Sequence, residues 1–435
     1  MLRGVDERDS YANLLLATVL QRTRLRGRDA AFATELTAGA LRMRGLYDAV
    51  LATLVGRRLT DLDPAVLDVL RLGCHQILSM RVPSHAAVST SVDLMRATVG
   101  PRPAGLVNAV LRKVAARDID AWVEQVVPAG ADRLERLAVR HSHPRWIVDG
   151  LNAAVGSDGG ADELPALLAA NNAVGAVTLV ALPGLAELSE LLADGARAGR
   201  LSPWAVRLDS GSPGDLPAVR ERRARVQDEG SQLVALLCAE TPITGPDARW
   251  LDLCAGPGGK AALLGAIGAQ RDASLVANEV QSHRAELVRQ AVANLANVTV
   301  TVGDGRSPAW ERGTFDRVLV DAPCTGLGAL RRRPEARWRR QPDDLPGLVR
   351  LQRELLLSAV DSVRPGGIVV YATCSPLVDE TREVVEHALT QRPVQLRRPD
   401  KLAPDARLAE DYLQLWPHRH DTDAMFAAVL ERHPH

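Results

Sequence analysis

Apolar positions recur every three or four residues through the first third of the chain. The apolar stripes cover residues 11–20, 31–41, 46–54, 65–78 and 107–114. Such spacing places apolar side chains on one face of an α-helix, whereas a half-buried strand alternates apolar and polar residues. The pattern therefore predicts an all-α domain over residues 1–140.

A different pattern begins near residue 249, where short β-branched runs alternate with helical stretches. Strands are predicted over residues 250–254, 274–278, 298–302, 315–320, 367–372 and 425–430, and helices over residues 260–267, 283–294, 348–363 and 378–389. This alternation is typical of a parallel sheet with crossover helices on both faces. It predicts a doubly wound α/β domain over residues 241–435.

Residues 141–240 fit neither pattern. They contain a glycine-rich linker or loop at 156–160, a strand at 176–182, a turn-rich stretch at 200–217 and a helix at 231–237. We interpret this part as a small α/β connecting segment. A chain of 435 residues is too long for one ordinary core, which agrees with a multidomain organisation.

Net charge indicates no partner, because 53 basic residues balance 53 acidic ones. The distribution of basic residues is more informative. Lysine occurs only at Lys113, Lys260 and Lys401, and Lys260 lies in a glycine-rich loop where arginine would not serve. Other basic residues lie near predicted helix ends, namely Arg22, Arg24, Arg26, Arg28, Arg42, Arg44, Arg112 and Lys113. On charge alone they form either a solvated surface or a phosphate-contacting patch.

The N-terminal residues 1–10 are polar, and no run approaches about 18 apolar residues. We therefore expect a cytoplasmic protein without a membrane partner. The five cysteines never stand at C-x-x-C spacing, which argues against disulfides and a zinc site. His418 and His420 lack a third ligand at suitable spacing, so we expect a surface loop there and no metal.

Residues 251–260, L-D-L-C-A-G-P-G-G-K, lead from a predicted strand into a helix. Glycines let the backbone approach a ligand, and the helix N-terminus offers free N–H groups. Cys254 and Ala261 break the pattern of a phosphate-binding P-loop. Glu279 ends the second strand, where nucleoside-binding folds hold ribose hydroxyls, and Asp304 follows the third. Asp304 alone would be an ordinary turn residue, but together these groups suit the methionine, ribose and adenine parts of S-adenosylmethionine.

Two cysteines follow central strands, Cys324 in D-A-P-C and Cys374 in T-C-S. A buried strand-end cysteine is commonly an inert small hydrophobe, which is how we interpret Cys74 and Cys238. Methylation of carbon 5 of a pyrimidine, however, requires a thiolate that adds to carbon 6 and a base that removes the carbon-5 proton. Methylation of an amino group is disfavoured, because no aromatic residue follows the D-A-P-C sequence. The residues alone leave open which cysteine attacks.

The N-terminal part resembles the helical RNA-binding domain of the NusB type. The resemblance rests on D-A-A-F at 29–32, L-R at 41–42, L-R-L-G at 70–73, V-P-S-H-A-A-V at 82–88 and V-N-A-V-L-R at 107–112. Such domains occur as antitermination factors and as N-terminal modules of RNA methyltransferases. The resemblance favours the phosphate-contacting interpretation of the basic residues.

The remaining motifs resemble the RsmB (Sun/Fmu) family of ribosomal RNA cytosine-5 methyltransferases. They include V-Q-D-E-G-S-Q at 226–232, the glycine loop, D-A-P-C, T-C-S and L-R-R-R-P-E-A-R-W-R-R at 330–340. The resemblance implies a Rossmann-like methyltransferase domain in which Cys374 attacks carbon 6 and Cys324 releases the product. It also implies that Asp321 holds the cytosine and that Lys260 orients substrate or cofactor. The implied cofactor site comprises Cys254, Ala255, Gly256, Pro257, Gly258, Gly259, Lys260, Glu279, Asp304 and Asp321.

The expected partner is small-subunit (16S) ribosomal RNA, bound by a monomer. A non-catalytic ribosome-assembly or antitermination factor, and a cytosine-5 methyltransferase of tRNA, remain as alternatives. The sequence departs from the family pattern at Glu279, Ala261, Thr381 and residues 423–426, and none of these changes removes a catalytic group. The arginines of residues 331–340 surround Trp338, which favours a phosphate-binding and base-stacking surface.

Overall fold

The computed structural model describes residues 1–7, 12–192, 195–398, 408–409 and 411–434. Lys401 lies outside these ranges, as do Ser10 and Tyr11 at the junction of the polar N-terminal stretch and the first apolar stripe. The chain divides into two compact units. The first comprises Met1–Gly156, Gly160–Val174 and Leu330–Arg340, and the second comprises Ser157–Gly159, Gly175–Ala329 and Gln341–His435.

The first unit is helical, as the apolar spacing predicts. Its helices are α1 (Leu2–Glu7), α2 (Ala12–Thr23), α3 (Gly27–Arg42), α4 (Arg44–Val55), α5 (Pro64–Leu78), α6 (Ser84–Thr98), α7 (Ala104–Val114), α8 (Ile119–Val126), α9 (Arg133–Arg140), α10 (Arg145–Ser157) and α11 (Leu164–Asn172). Asp63 caps α5 by accepting the N–H of Ala65, and Pro64 occupies the first helical position, which needs no N–H partner. Leu46, Leu70 and Leu111 are fully buried in the core of the unit.

Helix α6 is absent from the sequence-based prediction. Its hydroxyl side chains obscure the apolar period, because serine and threonine usually favour caps and turns. In the structure Thr90 and Ser91 donate hydrogen bonds to the carbonyls of Ala86 and Ala87, one turn earlier. These residues are thereby accommodated within a helix.

The second unit begins with a β-α-β-β-α-β module. Its elements are β1 (Val177–Ala181), α12 (Leu188–Leu191), β2 (Ala196–Ala198), β3 (Ala205–Leu208), α13 (Pro217–Arg220) and β4 (Ala224–Val226), and its antiparallel sheet has the order β2-β3-β1-β4. This is the ferredoxin-like, split-βαβ arrangement. Leu179 and Val206 pack in the module's own core. Val180 instead joins the core that contains helix α14 (Glu229–Glu240), so this face of the sheet serves packing within the unit.

The remaining elements form a large sheet with flanking helices. The strands are β5 (Arg249–Asp252), β6 (Ser274–Glu279), β7 (Val298–Val302), β8 (Phe315–Asp321), β9 (Val363–Thr373), β10 (Val394–Arg397), β11 (Leu408–Ala409), β12 (Tyr412–Gln414) and β13 (Phe426–Arg432). The helices are α15 (Gly259–Ala269), α16 (Ser282–Ala291), α17 (Ala336–Arg339), α18 (Leu345–Ser362), α19 (Arg382–Gln391) and α20 (Pro417–His420), of which α17 belongs to the first unit. The order is β11-β12-β13-β9-β8-β5-β6-β7, and β10 also pairs with β13.

Strands β7, β6, β5, β8 and β9 are mutually parallel, and β13 is antiparallel to β9. The chain runs from β5 to β6 and β7 on one side, then crosses to β8 on the other side of β5. The carboxyl ends of β5 and β8 therefore flank a topological switch point, where open α/β sheets bind ligands. This arrangement confirms the predicted doubly wound, Rossmann-like domain.

The limits of the two units differ from the predicted domain limits at residues 140 and 240. Ser157–Gly159, within the predicted linker, belong to the second unit. The side chain of Asp158 is 7% exposed, and its carboxylate accepts a hydrogen bond from Trp416 Nε1 at 2.7 Å and one from Arg419. Helix α14 shares its core with the strands of the large sheet. Side-chain contacts between distant segments set these limits, and the local composition does not reveal them.

The arginine-rich segment Leu330–Arg340 packs within the helical unit. Arg337 is fully buried, and its Nη1 donates to the carbonyls of Arg42 and Ser142 and to Oδ1 of Asn172, at 2.8–3.1 Å. The ring of Trp338 lies so close to Gly45 that a Cβ there would come within 2.4 Å of it. For Arg337 the expected phosphate-binding role is wrong, because the side chain satisfies buried carbonyl groups of the helical unit.

Candidate active site

The glycine loop connects β5 to α15. Gly258 has a φ of 99°, a left-handed conformation suited to glycine, and it is the N-cap of α15. A Cβ on Gly256 would lie 2.1 Å from Oε2 of Glu279. The loop thus passes directly against a carboxylate, which no larger residue at position 256 permits without movement of that side chain.

Glu279, at the end of β6, is 3% exposed. Its Oε2 accepts the N–H of Gly256 at 3.1 Å, and its Oε1 accepts the N–H of Gln281 at 3.0 Å. Arg284 Nη1 lies 3.6 Å from Oε2. The structure therefore brings the predicted ribose-binding acid and the predicted loop into direct contact.

Asp252, the last residue of β5, was not singled out from the sequence. It is 1% exposed, and neither carboxylate oxygen has a side-chain hydrogen-bond partner among the residues that the structure describes. Burial, and next the charge of Asp321, raise the pKa of Asp252 to about 7. The sequence did carry a signal for this residue, because an acid within an apolar strand that leads into a glycine loop is a candidate ligand-binding group. A buried carboxylate of this kind suits a cationic ligand group, and S-adenosylmethionine carries both an ammonium and a sulfonium.

Asp304 follows the end of β7, as expected, but Arg306 binds its carboxylate. Nη2 of Arg306 lies 2.7 Å from Oδ2, and the backbone N–H of Arg306 donates to Oδ1 at 2.9 Å. These hydrogen bonds lower the pKa of Asp304. The structure does not show the predicted adenine contact of Asp304, which stays a prediction.

Asn278 joins three neighbouring strand ends and was missed by sequence reasoning. Its Nδ2 donates to the carbonyls of Leu253 and Gly303, at 3.1 and 3.0 Å. Its Oδ1 accepts the hydroxyl of Thr301 at 3.1 Å. Asn278, which precedes the predicted ribose-binding acid Glu279, therefore fixes the spacing of the strand ends that lead into the loop and toward Asp304.

Lys260 and Asp321 form an ion pair beside the loop. Lys260 comes from the first turn of α15 and Asp321 from the end of β8, and Nζ lies 2.8 Å from Oδ2. Burial opposes the lysine charge, but Asp321, and more weakly Cys374, outweigh it and raise the pKa of Lys260. The two predicted catalytic residues thus lie together, with the cation close to Cys374.

The two strand-end cysteines face one another, with 3.5 Å between their Sγ atoms. Parallel pairing of β8 with β9, in which Asp321 stands opposite Ala372, brings their loops together. The hydrogen bond with Cys374, followed by burial, raises the pKa of Cys324 well above its usual value. Lys260 supplies a positive charge that acts on Cys374, and which of the two thiols attacks stays a prediction.

Gly328 connects this pair to the last strand. Its N–H donates to the carbonyl of Cys374 at 2.8 Å, and its own carbonyl accepts the N–H of Ala424 at 2.9 Å. A Cβ on Gly328 would lie 2.0 Å from the carbonyl oxygen of Ala424. The segment at 423–426, where the chain departs from the family pattern, therefore supports the Cys374 loop through backbone groups.

The other cysteines and histidines considered from the sequence serve packing. Cys74 and Cys238 are buried in two cores, and burial raises the pKa of Cys238 to about 12. The expected surface loop at His420 is wrong, because this residue is 6% exposed on α20 and its Nδ1 accepts the N–H of Trp416. Across the described ranges, no three His, Cys, Asp or Glu side chains form a metal-binding group. No described helix has the length and apolar character needed to cross a membrane.

The fold and the strand-end residues together define a Rossmann-like, S-adenosylmethionine-dependent methyltransferase. The loop contacts Glu279, the carboxylate of Asp252 is buried at the end of β5, and both lie near the switch point of the sheet. The donor therefore fits the residues present.

Comparisons with known proteins agree. The family model described as 16S rRNA methyltransferase RsmB/F matches residues 243–431, and the NusB family model matches residues 1–116. A Mycobacterium tuberculosis protein named as a methyltransferase is 51% identical, over 99% of this chain and 94% of its own length. Ribosomal RNA small subunit methyltransferase B of Vibrio cholerae is 31% identical, over 98% and 94%.

Among solved structures, the crystal structure of PH0851 has a TM-score of 0.79 at 24% identity, over 96% of this chain and 93% of that one. At this identity the likeness shows the fold. The relatives and family models show more: the chain belongs to the RsmB/F family of RNA methyltransferases with a NusB-like N-terminal domain. S-adenosylmethionine is its methyl donor.

Proposed function

We propose that this enzyme methylates carbon 5 of a cytidine in small-subunit ribosomal RNA through a covalent cysteine adduct. The observation that carries the proposal is the pair of thiols, Cys324 and Cys374, 3.5 Å apart beside the Lys260–Asp321 ion pair. Methylation of an amino group requires no thiol, whereas carbon 5 of cytosine becomes nucleophilic only after addition at carbon 6.

Cys374 supplies the attacking thiolate, since Lys260 stabilises its charge. A bond forms between Sγ and carbon 6 of the ring, and the electron pair of the carbon 5–carbon 6 double bond is released to carbon 5. Asp321 holds the ring, and Lys260 orients the Asp321 carboxylate at 2.8 Å. S-adenosylmethionine supplies the methyl group that carbon 5 receives.

Release requires removal of the proton that remains on carbon 5. The electrons of that carbon–hydrogen bond restore the ring double bond, and the bond to Cys374 breaks so that this residue leaves as a thiolate. We assign Cys324 to this stage as the base whose thiolate takes the carbon-5 proton and becomes a thiol, because its sulfur lies next to that of Cys374. Loss of Cys324 should therefore leave the adduct intact.

Ribosomal RNA is the proposed substrate because several relatives are named for it, and because the NusB-like unit offers exposed basic residues. Arg22 at the end of α2, Arg24 and Arg26 in the connection, and Arg28 at the start of α3 are all exposed. Exposed arginines suit phosphate contacts, whose strength falls steeply with salt. Arg42 does not fit this role, since it is 6% exposed and pairs with Glu35 at 3.4 Å.

A test compares ribosomal RNA from cells with and without this protein by bisulfite sequencing, alongside tRNA from the same cells. We expect one cytidine of small-subunit RNA to lose its methyl group when the protein is absent. A lost methyl group in tRNA alone would favour the tRNA alternative. Unchanged methylation of both RNAs would favour a non-catalytic assembly factor.

A further inference from the structure

Glu380 lies behind the two cysteines and is 0% exposed. It ends the short 3-10 turn Val378–Glu380, between the Cys374 loop and α19. Its carboxylate accepts the N–H of Thr325 at 2.8 Å, the hydroxyl of Thr325, and Nε2 of Gln352 at 2.9 Å. No lysine or arginine of the described chain forms an ion pair with it, so hydrogen-bond donors alone stabilise this buried charge.

These hydrogen bonds hold the chain on both sides of Cys324. Thr325 follows that residue, and Gln352 also donates to the carbonyl of Pro323, which precedes it, at 2.8 Å. The hydroxyl of Thr325 lies 3.0 Å from that of Ser375, the neighbour of Cys374. Glu380 is thus the common acceptor that fixes one cysteine loop relative to the other.

Glu380 also affects Cys324 through its charge. Interactions between charges strengthen in a low-dielectric interior. The groups that act on Cys324 are Cys374 at the end of β9, Glu380 on its turn, Asp321 at the end of β8 and the phenol of Tyr371. The hydrogen bond with Cys374 raises the pKa of Cys324 most and burial comes next. The charges of Cys374, Glu380 and Asp321 raise it further. The cation of the site, Lys260, pairs with Asp321 and acts on Cys374.

We propose that Glu380 is a positioning residue for the thiol pair: its hydrogen bonds fix Cys324 beside Cys374, and its carboxylate makes the surroundings of the two thiols unequal. The inference rests on the proposed function only for the roles of the two thiols. It explains how two cysteines at adjacent strand ends acquire different reactivities, so that Cys374 attacks and Cys324 stays available for release.

The test compares the wild-type protein with Glu380→Gln, which keeps the shape of the side chain and removes its charge. The amide oxygen still accepts the N–H of Thr325, and the amide nitrogen donates to its hydroxyl. Iodoacetamide labelling of the full-length protein across a pH series, followed by peptide mass spectrometry, gives the alkylation midpoint of each cysteine. We expect the midpoint of Cys324 to fall by about one pH unit in the variant, because the neighbouring carboxylate charge is lost.

Glu229→Gln is a matched control. Glu229 is also buried in the second unit and accepts backbone N–H groups of Arg200, Leu201 and Ser202. Its replacement should leave the labelling midpoint of Cys324 unchanged. An unchanged midpoint in Glu380→Gln, or an equal shift in the Glu229 control, would overturn the proposal.

Glu380→Asp provides a second test if the glutamine variant does not fold. The aspartate keeps the negative charge, but its shorter side chain moves the carboxylate away from the N–H and hydroxyl donors of Thr325. Alkylation of Cys324 should then still require high pH, while kcat for RNA methylation falls about tenfold and KM for RNA changes less than twofold. An unchanged kcat, or a lower midpoint, would contradict the positioning role.

The labelling needs neither RNA nor methyl donor, so its outcome does not depend on which atom is methylated. If bisulfite mapping failed while the Cys324 midpoint shifted as expected, the control of the thiols by Glu380 would stand and the cytosine assignment would fall.

Discussion

The two sides of the proposed crevice are built in different ways, although both lie at carboxyl ends of parallel strands. On the loop side, at the ends of β5 and β6, backbone groups define the site: Glu279 accepts N–H groups from Gly256 and Gln281. On the thiol side, at the ends of β8 and β9, side chains from separate segments hold the loops. Gln352 comes from α18 and Glu380 from the turn before α19.

The difference shows what each side requires. A cofactor shared by many enzymes is bound by a compact stretch of backbone, in which small residues permit a close approach. Two thiols that must differ in reactivity need a specific electrostatic environment, which side chains supply. Changes on the loop side should therefore alter donor binding, and changes on the thiol side should alter chemistry.

The largest expected effect comes from Cys374→Ala on the thiol side. Loss of the nucleophile should reduce methylation of small-subunit RNA at least about a thousandfold. The dissociation constant for S-adenosylmethionine should stay within about twofold, because the loop side is untouched. Single-turnover methylation and calorimetric titration measure the two quantities. Substantial methylation by this variant would contradict the assigned nucleophile.

Asp252→Asn tests the buried acid of the loop side. The folded-state pKa of Asp252, about 7, lies above the value near 4 of an unfolded chain, so ionisation destabilises the folded protein. That cost grows as pH rises from about 4 to 7 and then levels off. The variant without bound donor should gain free energy of unfolding over the wild type, on the order of 4 kcal/mol above pH 7.

Urea denaturation between pH 5 and 8 measures this gain, which should widen up to pH 7. The same variant should bind S-adenosylmethionine more weakly, since it loses the anionic partner of the donor. A gain in stability that does not depend on pH between 5 and 8 would show that folding does not raise the pKa of Asp252.

Gly256→Ala should weaken donor binding about tenfold, because the new Cβ would meet Glu279 Oε2 at 2.1 Å and displace the carboxylate. Glu279→Asp shortens the acid by one methylene and should relieve the contact. The double variant should therefore bind the donor more tightly than Gly256→Ala alone, as a double-mutant cycle would show.

Gly347→Ala is a suitable control, since nothing lies within 4 Å of a Cβ at that position. It should leave donor affinity unchanged. Equal effects of the two alanine substitutions, or independent effects of the changes at 256 and 279, would contradict close packing of the loop against the acid.

The sequence predicted the loop side better than the thiol side for a physical reason. The pattern of small residues and the acid one strand later are local features of a ligand-binding backbone, and the structure brings Gly256 and Glu279 together. Asp252 was missed because its burial without a hydrogen-bond partner in the described part of the chain depends on the tertiary surroundings. The ion pair between Lys260 and Asp321 follows from the parallel strand order, whereas the acceptor role of Glu380 depends on donors 28 and 55 residues away.

The arginines show the limit of composition as a guide. Arg22 to Arg28 and the segment Leu330–Arg340 are both arginine-rich, and both were candidates for phosphate contacts. The first stretch is exposed, whereas Arg337 in the second is fully buried among carbonyl groups. Burial depends on the tertiary partners Arg42, Ser142 and Asn172, which the local sequence does not identify.

The central claim is that Cys374 attacks the ring and Cys324 releases the product. Its most direct test is denaturing gel electrophoresis of each alanine variant after incubation with small-subunit RNA and S-adenosylmethionine. Cys324→Ala should accumulate a protein–RNA adduct that survives denaturation, and Cys374→Ala should form none. An adduct in Cys374→Ala and none in Cys324→Ala would reverse the two roles, and the absence of an adduct in both would contradict the covalent mechanism.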